Sequence, residues 1–143
     1  MDESVECFEL AQVHLDTAID LYYNHNYLCA LTLAAASEEV LGKILEYSTD
    51  KKSIHRVLID TLLKENPEMT ESKISSVLTQ SRDMLKHFKP IEGQSLRPVD
   101  DSTFFIFKAI ENYIRLRDAV TSNMQRFKND EDVKKIIMNY FSA

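Results

Sequence analysis

Glycine and proline are rare in this sequence: its 143 residues include two glycines and three prolines, where average usage gives roughly 17 of the two together. Tight turns depend on these residues, so their scarcity argues against a β-sandwich or a β-barrel. Apolar residues make up 44% and charged residues 28% of the chain, which is ordinary for a globular domain and excludes a disordered one. The sequence therefore predicts an all-α protein.

Apolar residues recur at helical spacing through most of the chain. In Val5–Tyr22 they follow one another at steps of three and four, and a second such run covers Leu28–Leu45, so each run forms one apolar helix face. Asn24-His25-Asn26 interrupts the pattern between them. This short link predicts that two long helices form an antiparallel hairpin.

Shorter helices are predicted to follow the hairpin. Ser53 is a candidate N-cap for the third helix, and Thr70 can cap a fourth that reaches Phe88. After an extended loop, a long helix resumes following Asp101, and Asn129-Asp130 caps a last one. The length suits one domain, residues 1–143, without internal repeats or linkers. We expect an up-and-down bundle of five to six helices.

Charge and cysteine content restrict the partners and the compartment. The chain has 17 basic and 23 acidic residues, a net charge of -6, which argues against a wholly electrostatic nucleic-acid binder but allows a local basic site. Cys7 and Cys29 form no CxxC pair, and we expect two buried free thiols. The start Met1-Asp2-Glu3 is acidic where a signal peptide is basic. The most apolar run, Leu28–Ala36, is too short to span a membrane, so we expect a cytoplasmic protein with no membrane partner.

The common signatures of enzymes are missing from the sequence. It has no glycine-rich phosphate loop, no HExxH, no GxSxG and no Cys/His cluster at metal-ligand spacing. The ExxH pairs of a di-iron helical bundle are also missing. The sequence therefore predicts no metal site and no cofactor, and any chemistry must come from a few side chains.

His87 is the histidine whose surroundings indicate chemistry. His14 lies at the edge of an apolar helix face, where packing is the simpler role, and His25 and His55 are expected to face solvent. His87 instead ends the stretch Arg82–His87, at the end of a predicted helix and beside the extended loop. An imidazole and a guanidinium are thereby placed close together in sequence.

This pair suits the cleavage of RNA. A guanidinium such as that of Arg82 binds two phosphate oxygens and stabilises developing negative charge, and the His87 imidazole can exchange a proton near neutral pH. Because RNA carries its own 2′-hydroxyl nucleophile, these groups suffice without metal, which favours RNA over DNA. Lys86 and Lys89 are candidate RNA-binding residues, and Arg97 joins them if the loop folds back.

The spacing of the pair also predicts a dimer. Helix residues five apart point about 140° away from each other, so Arg82 and His87 of one chain reach a single phosphate with difficulty. Two copies facing each other across a two-fold axis remove this difficulty, with an interface at the end of Thr70–Phe88 and in Lys89–Asp100. The alternative is an ordinary solvated helix end, since such Arg–His spacing arises by chance about half the time.

In its motifs the chain resembles the HEPN superfamily, the all-helical higher eukaryotes and prokaryotes nucleotide-binding domains. The resembling features are a long helical hairpin, the Ala-rich Leu31–Ala36, the Glu-to-Lys segment Ser37–Lys43, and the R-x(4–6)-H motif Arg82–His87 with polar Asp83 after the arginine. Glu38–Lys43 is also similar to the abortive-infection branch.

The resemblance covers about Phe8 to Val120, within a domain core of about residues 4–126. A further helix at about residues 130–142 is then an addition to the family core.

The resemblance implies an endoribonuclease that acts as a homodimer with a composite site, often as a toxin or antiphage effector with a cognate antitoxin. By that analogy Arg82 binds the scissile phosphate, His87 transfers a proton, and Asp83 orients one of them. Two alternatives stay open. The family includes non-catalytic members, which bind nucleotides or RNA or act as partners of nucleotidyltransferases, and the acidic composition agrees with these. The chain can also be an unrelated bundle with an accidental Arg–His spacing.

Glu38 is expected to have a supporting role. It falls on the buried face of the second helix, where an unpaired carboxylate is costly, so it should contact Arg82 or His87 unless it reaches solvent. Glu39 and Lys43 have the i, i+4 spacing of an ordinary exposed ion pair.

Overall fold

The computed structural model describes the backbone of residues 3–87 and 95–142, and the side chains of residues 6–86 and 95–142. These residues contain eight helices and no strand, which confirms the predicted all-α class. The helices are α1 (Glu3–Tyr23), α2 (Tyr27–Ser48), α3 (Ile54–Glu65), α4 (Glu71–Leu78), α5 (Gln80–His87), α6 (Pro98–Arg117), α7 (Ser122–Asn129) and α8 (Glu131–Ser142). None of these eight is both long enough and apolar enough to cross a membrane.

The described residues contain more helices than the five to six predicted, because two predicted helices are each interrupted once. The predicted helix Thr70–Phe88 divides at Thr79, whose N–H donates to the Ser75 carbonyl oxygen as α4 ends. Thr79 Oγ1 also lies 3.0 Å from that oxygen, and a hydroxyl that bonds the backbone in this way favours a helix end. The second interruption follows α6, where Asp118 is left-handed at φ 53° and Thr121 then caps α7.

Three of the predicted N-caps are confirmed. Ser53, Thr70 and Asp130 each accept a hydrogen bond from a backbone N–H in the first turn of the next helix, at 3.2, 3.2 and 2.9 Å. α6 begins earlier than predicted, at Pro98 instead of after Asp101. Proline suits the first position of a helix because its φ is already helical and its missing N–H is not needed there.

The centre of the core is α2, which packs against α1 on one side and α6 on the other. Its small residues Ala30, Ala34 and Ala35 are almost completely buried, and their size lets the neighbouring helices approach closely. Residues 24–26 join α1 to α2, with His25 in a left-handed conformation at φ 62°. The C-terminal half of α2 contacts α6, where Asn112 Nδ2 donates to the Glu38 carbonyl oxygen at 3.1 Å.

The predicted C-terminal helix is present as α8 and packs on α6. The Tyr140 ring stacks on Phe104 with centroids 4.3 Å apart, and its hydroxyl donates to Asp101 Oδ1 at 3.1 Å. Val133 is buried in the same core as the long helices. α8 therefore contributes to the main core, although the family resemblance does not cover it.

Cys7 and Cys29 are exposed, so the prediction of two buried thiols is wrong. Each directly precedes a buried residue, Phe8 and Ala30 respectively. Successive helix residues point about 100° apart, which turns both thiols away from the core.

Candidate functional site

Arg82 is held by two carboxylates where α5 meets α2. Its Nε and Nη2 donate to Asp83 Oδ1 at 3.3 and 3.1 Å, and its Nη1 lies 3.7 Å from Glu39 Oε2. The Arg82 side chain is 23% exposed, so its guanidinium is fixed in position and still reachable from solvent. Asp83, expected to orient Arg82 or His87, contacts Arg82.

The predicted pair of Glu39 and Lys43 is present and extends to Arg82. Lys43 Nζ donates to Glu39 Oε1 at 3.2 Å. Partial burial raises the pKa of Glu39, but the hydrogen bond from Lys43 and the charges of Arg82, Lys43 and Lys86 outweigh burial, and the pKa lies below its ordinary value. Glu39 is therefore ionised at neutral pH and belongs to the surroundings of Arg82.

Glu38 is buried, with 4% of its surface exposed, and it has the basic partner that burial requires. This partner is Lys108, whose Nζ lies 3.8 Å from Glu38 Oε1, and not Arg82 as expected. The other expected partner, the side chain of His87, lies outside the described residues. Lys108 Nζ also donates to the Leu78 carbonyl oxygen at 3.4 Å. The pair therefore ties α2 to α6 and to the end of α4.

Lys108 is a fully buried lysine and is not among the site residues predicted from the sequence. Burial lowers its pKa to about 8, with Glu38 opposing this change and the charge of Arg82 adding to it. Its ammonium lies 4.7 and 4.0 Å from the ring centroids of Phe104 and Phe105, contacts that favour a cation. Phe104 and Phe105 precede Lys108 by four and three residues, so all three side chains lie on the same apolar face of α6. Because a lysine is almost never fully buried unless it is paired, its position on that face was the sequence signal for a buried, paired lysine.

A cleft of about 240 Å³ brings residues of four helices together. We name it the polar cleft, and its lining includes Glu38, Glu39, His55, Ser75, Thr79 and Arg82. Gly42 also lines it, and a Cβ there would lie 3.3 Å from Ser53 Cβ. Glycine thus allows α2 to approach the start of α3 closely, and this approach brings α3 to the cleft.

His55 is half-buried in the polar cleft, so the expectation that it faces solvent is wrong. Its Nε2 lies 3.1 Å from Ser75 Oγ. Burial lowers the pKa of His55, and the charge of Lys108 lowers it further. The contact depends on α3 packing against α4, across 20 residues of sequence, and local sequence patterns carry no signal for it.

Arg82 and Glu39 also line a second recess, of about 290 Å³, between α2 and α5. We name it the α2–α5 groove, and its lining includes Leu31, Ala35, Leu85 and Lys86. Lys86, a predicted RNA-binding residue, therefore shares a groove with Arg82. The guanidinium of Arg82 belongs to both recesses.

The remaining predicted site residues lie elsewhere or outside the described residues. Arg97 pairs with Asp100 at 3.3 Å, and its guanidinium lies 5.7 Å from the centroid of the Tyr140 ring, at the contact of α6 with α8. The backbone of His87 ends α5, but its side chain and all of Lys89 lie outside what the structure describes.

Among the described residues, no three or more His, Cys, Asp or Glu side chains form a group that could hold a metal ion. Comparison with protein families, with curated proteins and with solved structures finds no match for this chain. The function of this chain is therefore inferred from side-chain geometry and from the resemblance of its sequence motifs.

Proposed function

We propose that this protein is a metal-independent, HEPN-like endoribonuclease in which Arg82 binds the scissile phosphate and His87 transfers a proton. The observation that carries this function is the partly exposed guanidinium of Arg82, held by Asp83 and Glu39. A guanidinium that is already oriented loses little freedom when a phosphate binds. Lys86 adds positive charge in the same groove.

The chemistry uses the nucleophile that RNA carries. Loss of the 2′-hydroxyl proton lets O2′ bond to the adjacent phosphorus, the P–O5′ bond breaks, and the leaving O5′ takes up a proton. The products are a 2′,3′-cyclic phosphate and a 5′-hydroxyl. His87 can accept or donate a proton near neutral pH, and Arg82 can stabilise the charge that develops on the phosphate.

We expect the purified protein to cleave structured and single-stranded RNA in the presence of EDTA, with fragments that end in cyclic phosphate. His87→Asn removes the titratable ring and should lower the rate at least about 100-fold, since proton transfer by a positioned side chain contributes that much. Gel electrophoresis and mass spectrometry of the fragment ends measure both results.

His25→Asn is the matched control for this experiment. His25 lies in the turn between α1 and α2 at φ 62°, a conformation that asparagine tolerates. The control should cleave RNA like the wild type. A wild-type protein that is inert toward every RNA and harmless on overexpression would contradict the proposed function.

The proposed enzyme is a homodimer with a composite site. Residues five apart on an ideal helix point about 140° away from each other, whereas two copies of α5 across a two-fold axis can line one cleft. An interface that includes α5 and the α2–α5 groove brings two copies of Arg82 and Lys86 together. This concentrates positive charge on a chain whose net charge is -6, as RNA binding requires.

Light scattering at micromolar concentration is expected to give twice the chain mass of 16.5 kDa. Leu85 lines the α2–α5 groove and is 39% exposed, so Leu85→Glu should dissociate the dimer by placing two carboxylates in the interface. Val13, 59% exposed on α1, gives the matched control Val13→Glu. A monomeric wild type, or a dimer that Val13→Glu dissociates and Leu85→Glu does not, would exclude this interface.

From the resemblance alone, we further propose that the enzyme is a toxin or antiphage effector and that a cognate antitoxin is its partner. The sequence features described above further lead us to propose that it acts in the cytoplasm. Overexpression is then expected to arrest growth, and His87→Asn should abolish the arrest. Unimpaired growth with the active wild-type enzyme would contradict the toxin role without affecting the proposed chemistry.

A second candidate function is a non-catalytic HEPN-like module that binds RNA or a nucleotide, or that is a partner of a nucleotidyltransferase. Of these roles, the protein-partner role is favoured by the acidic lining of the polar cleft, to which Glu38, Glu39 and Glu46 contribute, because carboxylates repel the phosphates of RNA and nucleotides. The two carboxylates beside Arg82 also balance its charge, which weakens attraction for phosphate. A wild-type protein that binds RNA or a nucleotide and cleaves no RNA would support this function.

A further inference from the structure

We propose that the polar cleft pairs two catalytic side chains of the same protomer, where His55 accepts the proton of the 2′-hydroxyl and Arg82 binds the phosphate. This inference rests on the proposed ribonuclease function and adds a second histidine to it. Each cleavage needs two proton transfers, one from the 2′-hydroxyl and one to the leaving O5′. The proposed function assigns one of these transfers to His87, and we assign the other to His55, an imidazole from a different helix.

His55 and Arg82 reach the polar cleft from different helices. His55 lies in the first turn of α3 and Arg82 on α5, and both line the same cleft of about 240 Å³. Side chains five residues apart on one helix diverge by about 140°, whereas side chains from facing helices can converge on one ligand. The cleft therefore combines an imidazole and a guanidinium without a contribution from a second protomer.

Fixed contacts hold the His55 ring. Ser75 Oγ, on α4, lies 3.1 Å from its Nε2, and Ser75 lines the same cleft. Ser53 caps α3, and the Ile54 N–H donates to Asn112 Oδ1, on α6, at 2.8 Å. The first turn of α3 is thereby fixed against two helices, which preorganises the imidazole. Ser75 is a positioning residue for His55.

Charged groups from several helices face His55 and set its protonation. They are Lys108 on α6, Glu38 on α2, Arg82 on α5 and Arg56 on α3. On α4, the charged Glu71 lines the adjoining surface with Asp83, and the uncharged Ser75 contacts the ring. The polar cleft is also lined by three charged residues of α2: Glu39, Lys43 and Glu46. Burial lowers the pKa of His55 from 6.5, Lys108 lowers it further, and Glu38 opposes them. The imidazole is then mostly neutral at pH 7, which is the form that accepts a proton.

The proposed step balances without a co-reactant. His55 takes the proton of the 2′-hydroxyl, O2′ bonds to phosphorus, and the P–O5′ bond breaks. The leaving O5′ receives a proton from the second imidazole, that of His87. Afterwards His55 gives its proton to water and His87 regains one from water, so the protein returns to its starting state.

His55→Asn is expected to lower kcat at least about 100-fold and to change KM by less than about threefold. We expect the wild-type rate to rise with pH below 6.5, the ordinary pKa of histidine, and His55→Asn should remove this rise. Circular dichroism and thermal unfolding should match the wild type, and His25→Asn is the matched control. A His55→Asn enzyme with wild-type kcat and pH profile overturns this inference and leaves the ribonuclease function standing. A wild type inert toward RNA overturns both.

Mixed dimers test whether the two side chains act within one protomer. Arg82→Gln and His55→Asn chains with different tags are co-expressed and purified through both tags. Every cleft then lacks one of the two groups, so activity should stay at or below about 1% of wild type. The matched mixture combines Arg82→Gln with His87→Asn. In this dimer, Arg82 of the His87→Asn chain and His87 of the Arg82→Gln chain form one intact composite site, so up to about half of the wild-type activity should be recovered. If the mixture of Arg82→Gln with His55→Asn recovers activity, His55 acts across the dimer, and the pairing of His55 with Arg82 of the same protomer is overturned.

Discussion

Replacement of Arg82 by glutamine is expected to lower RNA cleavage about 100- to 1,000-fold, because removal of one preorganised group that stabilises transition-state charge has an effect of this size. The guanidinium can bind two phosphate oxygens at once and is always charged. Glutamine offers neither the positive charge nor the paired donors. Single-turnover cleavage of a labelled RNA, with EDTA present, measures the loss.

Two further variants separate the role of Arg82 from general effects. Arg82→Lys keeps the charge without the planar fork, so its rate should fall between those of the wild type and Arg82→Gln. Arg126→Gln is the matched control, since Arg126 is exposed on α7 and lies 3.8 Å from the centroid of the Tyr23 ring. Equal cleavage rates for the two glutamine variants would rule out a role for Arg82 in phosphate binding.

Local sequence signals predicted the helical class and several helix starts, because these depend on neighbours in the chain. Ser53 and Thr70 cap their helices through hydrogen bonds that close within one turn. The interruptions at Thr79 and Asp118 were missed because neither is a glycine or a proline, and apolar spacing continues across both positions. The helix count was therefore too low while the class was right.

The contacts of the candidate site likewise fall into two groups, those between sequence neighbours and those between distant helices. Asp83 lies next to Arg82 in sequence, and their contact involves neighbouring residues of one helix. The pairs Glu38–Lys108 and His55–Ser75 depend on which helices cross and at what depth. Periodicity marks the face of a helix that is buried but not the helix it meets, so Lys108 was not among the partners predicted for Glu38, which were Arg82 and His87.

Replacement of Lys108 by methionine is expected to lower the free energy of unfolding by about 3–5 kcal/mol at pH 7, because it leaves the buried Glu38 without its partner. Methionine has a similar length, so loss of the charge matters more than loss of volume. The midpoint of thermal unfolding should fall by roughly 10–15 °C. The double variant Glu38→Gln/Lys108→Met removes both charges and should recover most of the loss. Urea denaturation measures all three proteins.

Lys134→Met is the matched control for loss of a lysine from an ion pair. Lys134 Nζ lies 3.0 Å from Glu131 Oε1, and both side chains are at least half exposed. Exposed pairs contribute about 0–1 kcal/mol, so this variant should unfold almost like the wild type. If Lys108→Met loses no more stability than Lys134→Met, the buried pair does not stabilise the fold.

The pH dependence of unfolding provides an independent check on Lys108. Burial lowers its pKa to about 8 in the folded protein, against an ordinary value of 10.5 in the unfolded chain. Below pH 8 both states hold the proton, but between pH 8 and 10.5 the unfolded state binds more protons, so stability rises with pH. Burial raises the pKa of Tyr23 and of Tyr140. These two tyrosines lower the stability of the fold as the pH rises, but only above pH 10, which is their ordinary pKa. Wild-type protein should therefore gain stability relative to Lys108→Met from about pH 8 to pH 10, and parallel profiles of the two proteins would show that Lys108 does not titrate in the core.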